Sequence, residues 1–147
     1  MKRNSNLKQI PKKALVSVST IFLVVTIDQL TKLFVLKSSV WYACNLGFAF
    51  GLLSGFLNGL IAFLILAALV YLFLKQKEFV FYAPFALIIG GGISNLADRV
   101  FKGCVVDFVR IPLWPTTFNL ADLAITVGVL LIIFSVYRDF LKKNNEA

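Results

Sequence analysis

Residues 95–122, NLADRVFKGCVVDFVRIPLWPTTFNLAD, decide how this chain is read. The stretch holds Asp98, Asp107 and Asp122, three of the seven acidic residues, and it repeats Asn-Leu-Ala-Asp at its two ends. Long apolar runs lie on both sides of it. A carboxylate near bilayer depth costs about 2.5–3.5 kcal/mol on insertion scales, so acids gathered in one short segment of such a chain mark a functional site.

Of the 147 residues, 59% are hydrophobic and the mean hydropathy is +0.87, whereas a soluble domain is about 45–50% apolar. A domain of this size leaves much of its surface in contact with solvent. That solvent is read as lipid, and the chain as an integral membrane protein. The net charge of +8 does not point to nucleic acid, because the basic residues sit at the ends of apolar runs rather than along a face with interleaved aromatics. Histidine is absent, which removes Ser-His and Cys-His nucleophiles from consideration. Cys44 and Cys104 stand in no metal-ligand spacing, so neither a metal nor a cofactor is expected. They could pair with each other, both falling on the oxidising side in the topology read below, but nothing in the sequence fixes their separation.

Residues 1–13 form a basic arm ahead of a first span at about 14–36. That arm and run resemble a signal peptide, yet Asp28 and Lys32 interrupt the run and no small-residue cleavage site follows. It reads as a retained helix. A mixed stretch, KSSVWYACNLGFAFGLLSG (37–55), suits a short strand or an interfacial belt at Val40, Trp41 and Tyr42. Further spans fall at about 56–74, 79–97 and 119–140, each near the 20 residues a crossing needs. The fold class is therefore an all-α membrane protein of four transmembrane helices, in one domain over 1–147.

An even number of spans puts both termini on one side. That side carries most of the Lys and Arg, so the termini are expected in the cytoplasm. Asn45, Asp98, Asp107 and Asp122 then all fall at the outer boundary, as does the half of the first helix that bears Asp28. Two aspartates close together in a partly dry site share one proton, and such a pair can run aspartic-protease chemistry on a water molecule. Asp107, in the apolar VVDF context, and Asp122, at a helix start, are the expected pair.

Each candidate also has a plainer reading. Asp122 can be a first-turn acid behind an Asn119 N-cap. Asp28 and Lys32, four residues apart, read as an intrahelical ion pair. Asp98 beside Arg99 reads as an interfacial pair, and Gly90-Gly91-Gly92 as a site of close helix packing. A proton-coupled carrier and a non-catalytic membrane subunit are the rival functions. A carrier would string its acids through the bilayer, whereas here they gather at one boundary.

Taken together, DQLTK (28–32), NLGFAFGLL (45–53), GGGISNLADR (90–99), VVDF (105–108) and FNLAD (118–122) resemble, in order and over nearly the whole chain, the lipoprotein signal peptidase (signal peptidase II) family. The resemblance implies a bacterial inner-membrane aspartic endopeptidase that removes the signal peptide from prolipoproteins, cutting before the diacylglyceryl cysteine. It implies Asp107 and Asp122 as the catalytic dyad, with no metal or cofactor. Asn45, Asn95, Arg99 and Asn119 would hold the substrate or a globomycin-like peptide inhibitor, and Asp28, Lys32 and Asp98 would support the site. The family's fold adds a small extracytoplasmic β-element between helices 1 and 2. The enzyme would act as a monomer in contact with membrane lipid, its site facing outward. Three departures stand out: a short stretch between helices 1 and 2, a short spacer between the two dyad positions, and Ser94 where the family commonly has another glycine.

Overall fold

The computed structural model describes residues 6–48, 53–54, 56–112 and 116–145. Part of the basic arm (1–5), residues 49–52 of the NLGFAFGLL motif, Gly55 and residues 113–115 of the outer loop lie outside them. Among the described residues there are four long helices, α1 Asn6–Lys37, α2 Phe56–Lys75, α3 Tyr82–Lys102 and α4 Leu120–Asn145, with a 3-10 turn, Phe79–Phe81, leading into α3. All four are long and apolar enough to cross a membrane. Their outward faces remain apolar, with Phe22, Leu64 and Phe134 each more than half exposed. The buried set is instead rich in polar side chains, among them Asp28, Lys32, Ser94, Asn95, Asp98, Asp107 and Asn119. This is the inverse of a soluble domain, as expected where lipid covers the outside.

Three helix limits differ by five residues or more from those read in the sequence, the fourth helix running on to Asn145 rather than ending near Phe140. The first helix already begins at Asn6, inside the stretch taken as a basic arm. The third continues to Lys102 rather than stopping near Ala97, so Asp98 and Arg99 are helical. The physical reason is that no breaker occurs before Gly103, whose φ of 78° is the left-handed conformation that ends helices.

Helix α3 is the axis of the bundle. Successive residues of a helix project about 100° apart, so three consecutive glycines open three different faces. A Cβ on Gly90 would stand 3.0 Å from Val24 Cβ of α1, one on Gly91 2.5 Å from the Ala121 carbonyl oxygen of α4, and one on Gly92 3.1 Å from Leu66 Cδ1 of α2. The glycines therefore do serve close packing, and they do so against three partners. The Gly91 contact falls one residue before Asp122, which places the start of α4 directly against α3.

Short strands cap one end of the bundle: β1 Ala43–Asn45, β2 Gly47–Phe48, β3 Leu53–Ser54, β4 Val105–Asp107, β5 Val109–Arg110 and β6 Thr117–Phe118. The β-element expected between helices 1 and 2 is present as the β2–β3 pairing. Strand β1, however, pairs antiparallel with β4 from beyond α3, matching Ala43 with Asp107, Cys44 with Val106 and Asn45 with Val105. Strands β5 and β6 pair with each other and carry the chain from Asp107 back towards α4. Cys44 and Cys104 are disulfide-bonded, with Cα atoms 5.5 Å apart. Their spacing of 60 residues could not show this, because it is the β1–β4 register that brings them together.

Candidate active site

The site is built outward from a buried ion cluster. Lys32 Nζ, fully buried, lies 2.6 Å from Asp28 Oδ2 and 2.9 Å from Asp98 Oδ2. Asp98 Oδ1 also accepts from Lys102 Nζ at 2.6 Å and from Gln29 Nε2 at 2.9 Å, while its Oδ2 accepts the Val106 backbone N–H at 3.2 Å. Asp28 and Lys32 thus do form the expected i, i+4 pair, but as part of a link between α1 and α3. Asp98 does not pair with Arg99. Neighbouring residues on a helix point about 100° apart and do not face each other, so Asp98 turns to the two lysines and Arg99 turns away.

Asp28 also ties α1 to α4. Its Oδ1 accepts the Ala121 backbone N–H at 2.9 Å, and its Oδ2 accepts from Ser94 Oγ at 2.7 Å. The first turn of α4 is completed by a reciprocal capping pair. Asn119 Oδ1 accepts the Asp122 N–H at 3.0 Å, and Asp122 Oδ2 accepts the Asn119 N–H at 3.2 Å. The plain reading of Asn119 and Asp122 as helix-capping residues is therefore correct. It does not exhaust them, because each has a further polar atom turned to the site.

Three asparagines aim their amides at the two carboxylates. Asn45 Nδ2 donates to Asp107 Oδ2 at 3.0 Å, Asn119 Nδ2 donates to Asp107 Oδ1 at 2.7 Å, and Asn95 Nδ2 donates to Asp122 Oδ1 at 2.7 Å. The direction of each amide is dictated at its other end by a group that can only donate. Gly47 N–H holds Asn45 Oδ1 at 3.1 Å, Lys32 Nζ holds Asn95 Oδ1 at 2.9 Å, and the Asp122 N–H holds Asn119 Oδ1. A further bond, Asn119 Nδ2 to Asn95 Oδ1 at 3.1 Å, joins two of the amides. Asn119 consequently touches both Asp107 and Asp122, and the two carboxylates belong to one hydrogen-bonded network.

Asp107 is 1% exposed. Burial pushes its carboxyl above the ordinary carboxylate range, the Asn45 and Asn119 hydrogen bonds oppose that shift, and the nearby Asp122 charge adds to it. Asp122, tied into the same network, is half-buried in the first turn of α4. Such a pair can take a proton from water and give one to a carbonyl oxygen.

Arg99 borders the same space. Its Nη1 donates to the Asn95 carbonyl at 3.2 Å, and its buried Nε has no hydrogen-bond partner among the described residues. It lines a cavity of about 560 Å³ with Leu46, Asn58, Leu60, Phe63 and Leu96. It also lines a second one of about 220 Å³, where Asn95, Asp122, Leu66, Leu69 and Ile125 meet. Both cavities run between α2 and α3, and apart from these few polar groups both are apolar.

All nine residues singled out in the sequence are therefore in or around one cluster. Four others were missed: Gln29, Ser94, Lys102 and Asn58. Lys102 had a signal, standing four residues after Asp98 on what is now the same helix. Asn58, 1% exposed, donates to the Leu46 carbonyl at 2.8 Å and anchors the outer strands to α2. Its sign was a lone amide at the start of an apolar span.

Comparison with known proteins agrees with this geometry. The profile of peptidase A8, signal peptidase (SPase) II, matches residues 20–138. The chain belongs to the signal peptidase II family. Its relatives include the lipoprotein signal peptidase of Pelodictyon phaeoclathratiforme, 38% identical over 79% of this chain and 87% of that protein. The lipoprotein signal peptidase of Caldicellulosiruptor bescii is 40% identical over 71% of this chain and 74% of that one. A bacterial membrane enzyme solved by the in meso method at 2.3 Å superposes with a TM-score of 0.74 at 32% identity, covering 91% of this chain and 92% of that one. As a signal peptidase II, the chain is a multi-pass bacterial membrane protein and an aspartic peptidase.

Proposed function

We propose that Asp107 and Asp122 are the catalytic dyad of this peptidase, and that it cuts prolipoproteins before a diacylglyceryl cysteine. The observation that carries the reading is the Asn119 side chain, hydrogen-bonded to Asp107 and to the backbone of Asp122 at once. Charge balance supports it. Asp28 and Asp98 offset Lys32 and Lys102, and Arg99 offsets one further negative charge. These seven groups sum to zero when the dyad holds one proton, the state a low-dielectric site favours.

In this reading Asp107 is the acid and Asp122 is the base. Asp122 takes a proton from water as the oxygen adds to the scissile carbonyl carbon, and Asp107 gives its proton to the carbonyl oxygen. As the tetrahedral adduct collapses, the proton on Asp122 passes to the leaving nitrogen and a hydroxyl proton returns to Asp107. Both carboxyl groups are restored. Asn45, Asn95 and Asn119 orient the dyad, and Arg99, with an N–H free inside the cleft, holds a carbonyl of the substrate backbone or of a globomycin-like peptide. The apolar cavities beside Arg99 match the signal peptide and the acyl chains of the substrate, as the names of the relatives lead one to expect.

The test is cleavage by the purified chain of a prolipoprotein with and without its diacylglyceryl group. Only the lipidated form should be cut, and equal rates on both would overturn the assignment of substrate. We expect the monomer to be active.

The site faces outward in this reading, with both termini in the cytoplasm. A disulfide beside the dyad supports it, since such bonds persist on the oxidising side of the membrane. A reporter fused after Lys143 should accordingly read cytoplasm and one inserted at Gly103 should read exterior. The reverse pattern would put the acids on the wrong side for the reaction.

A further inference from the structure

Among the described residues, four hydrogen bonds reach the two dyad carboxylates, and they differ in how firmly their donors are held. Asn95 belongs to α3, and the side chain and backbone N–H of Asn119 belong to the capped start of α4. Asn45 is different. It ends β1, a three-residue strand that pairs with β4 alone and leaves Cys44 and Asn45 exposed. A ladder this short is marginal without further support. Strand β4, by contrast, is buried throughout. The Cys44–Cys104 disulfide bridges the two, joining the residue before Asn45 to the residue before β4, three positions from Asp107.

We infer that this disulfide is a positioning element of the active site, holding the Asn45 amide on Asp107 so that peptidase activity depends on the bond being oxidised. The inference rests on the dyad reading given above. Without the bond, β1 keeps its three-residue ladder and, one residue beyond Asn45, the Asn58 hydrogen bond to the Leu46 carbonyl, and the ring closed by the 60-residue separation opens. Asp107 Oδ2 then loses its donor for much of the time, while Asn119, which caps α4, stays on Oδ1. Two-electron reduction by a dithiol breaks the S–S bond, yields two thiols on the protein and converts the dithiol to its cyclic disulfide. The exposed Cys44 gives the reductant its approach.

The experiment uses the full chain in detergent with a lipidated prolipoprotein, whose thioether a dithiol leaves intact. Turnover is followed across pH for the oxidised protein, for the dithiol-treated protein and for Cys44→Ser/Cys104→Ser, with thiol labelling to confirm that the bond is open. Reduction should lower kcat about tenfold, the scale of one hydrogen bond that orients a reacting group, with little change in KM. The groups facing Asp107 are Lys32 from α1, Arg99 from α3 and Asp122 from α4, and reduction leaves all three in place. Loss of the Asn45 donor alone should therefore move the alkaline limb of the kcat profile to higher pH. In Asn45→Leu, already slower, the dithiol should have no further effect on kcat or on the profile.

An unchanged kcat after confirmed opening overturns the inference. So does a loss of equal size in Asn45→Leu, which would make the disulfide a general brace. Should the double serine variant not fold, reduction of the folded protein still decides the point. Asp107→Asn, assayed alongside, separates the two readings. If it cuts at full rate the dyad assignment fails, and if it is inactive while reduction has no effect only the role of the disulfide fails.

Discussion

Replacing Asp107 or Asp122 by asparagine should each lower the kcat for lipidated prolipoprotein by roughly a thousandfold or more, because one variant has no acid and the other no base. The two losses should not add. Once either proton-transfer group is gone the other has no partner, so the double variant should resemble the single ones. Both substitutions keep side-chain size, and the amide that Asp122→Asn introduces retains an oxygen that can accept the Asn119 N–H, so the helix cap survives. A thermal melt in detergent checks that the variants are folded. Near-normal turnover in a folded single variant would show that the dyad is not the chemical centre.

The second large effect is on stability. Lys32→Met removes the cation that touches Asp28, Asp98 and Asn95 together, all in a region closed to water. Asp98 keeps Lys102, but Asp28 is left with a charge that, among the described residues, only the Ser94 hydroxyl and the Ala121 N–H oppose. Breaking a buried ion pair from one side costs about 3–5 kcal/mol. A fall of that order should appear in chemical denaturation in detergent, or as loss of folded protein from the membrane. Lys32→Met/Asp28→Asn should recover much of it, since it removes one charge of each sign and leaves an oxygen for Ala121. Equal instability in the single and double variants would mean that the stranded charge is not the cause.

Lys32 also reaches the chemistry through Asn95. Because an ammonium can only donate, it obliges Asn95 to turn its oxygen inward and its nitrogen to Asp122. In Lys32→Met/Asp28→Asn, which restores the charge balance, that constraint is still missing. Its kcat should therefore stay below that of the unmodified chain even where its stability is recovered.

Much of this could be read along the chain, and the reason is the solvent. In lipid every polar side chain is costly, so the few within apolar runs carry meaning one by one. Asp28, Lys32, Asn95, Asp98, Asn119 and Asp122 announced themselves in this way, and the excess of basic residues at alternate loops ordered the spans around them. That Asp28, Asp98, Asp107 and Asp122 gather at one end of the bundle followed from topology.

What could not be read is which partner each group chooses. Adjacency in the sequence pointed Asp98 to Arg99, whereas the turn of α3 gives it to Lys32 and Lys102. Three glycines in a row indicated close packing without saying that each serves a different helix. Cys44 and Cys104 are joined by a register between strands on either side of two helices, and Asn45 meets Asp107 for the same reason. Composition and spacing set the depth of a residue in the membrane and the end of the bundle it occupies. The rotation of each helix about its own axis, and the strand register that follows, arise only when all four helices pack at once, and those choose the contacts.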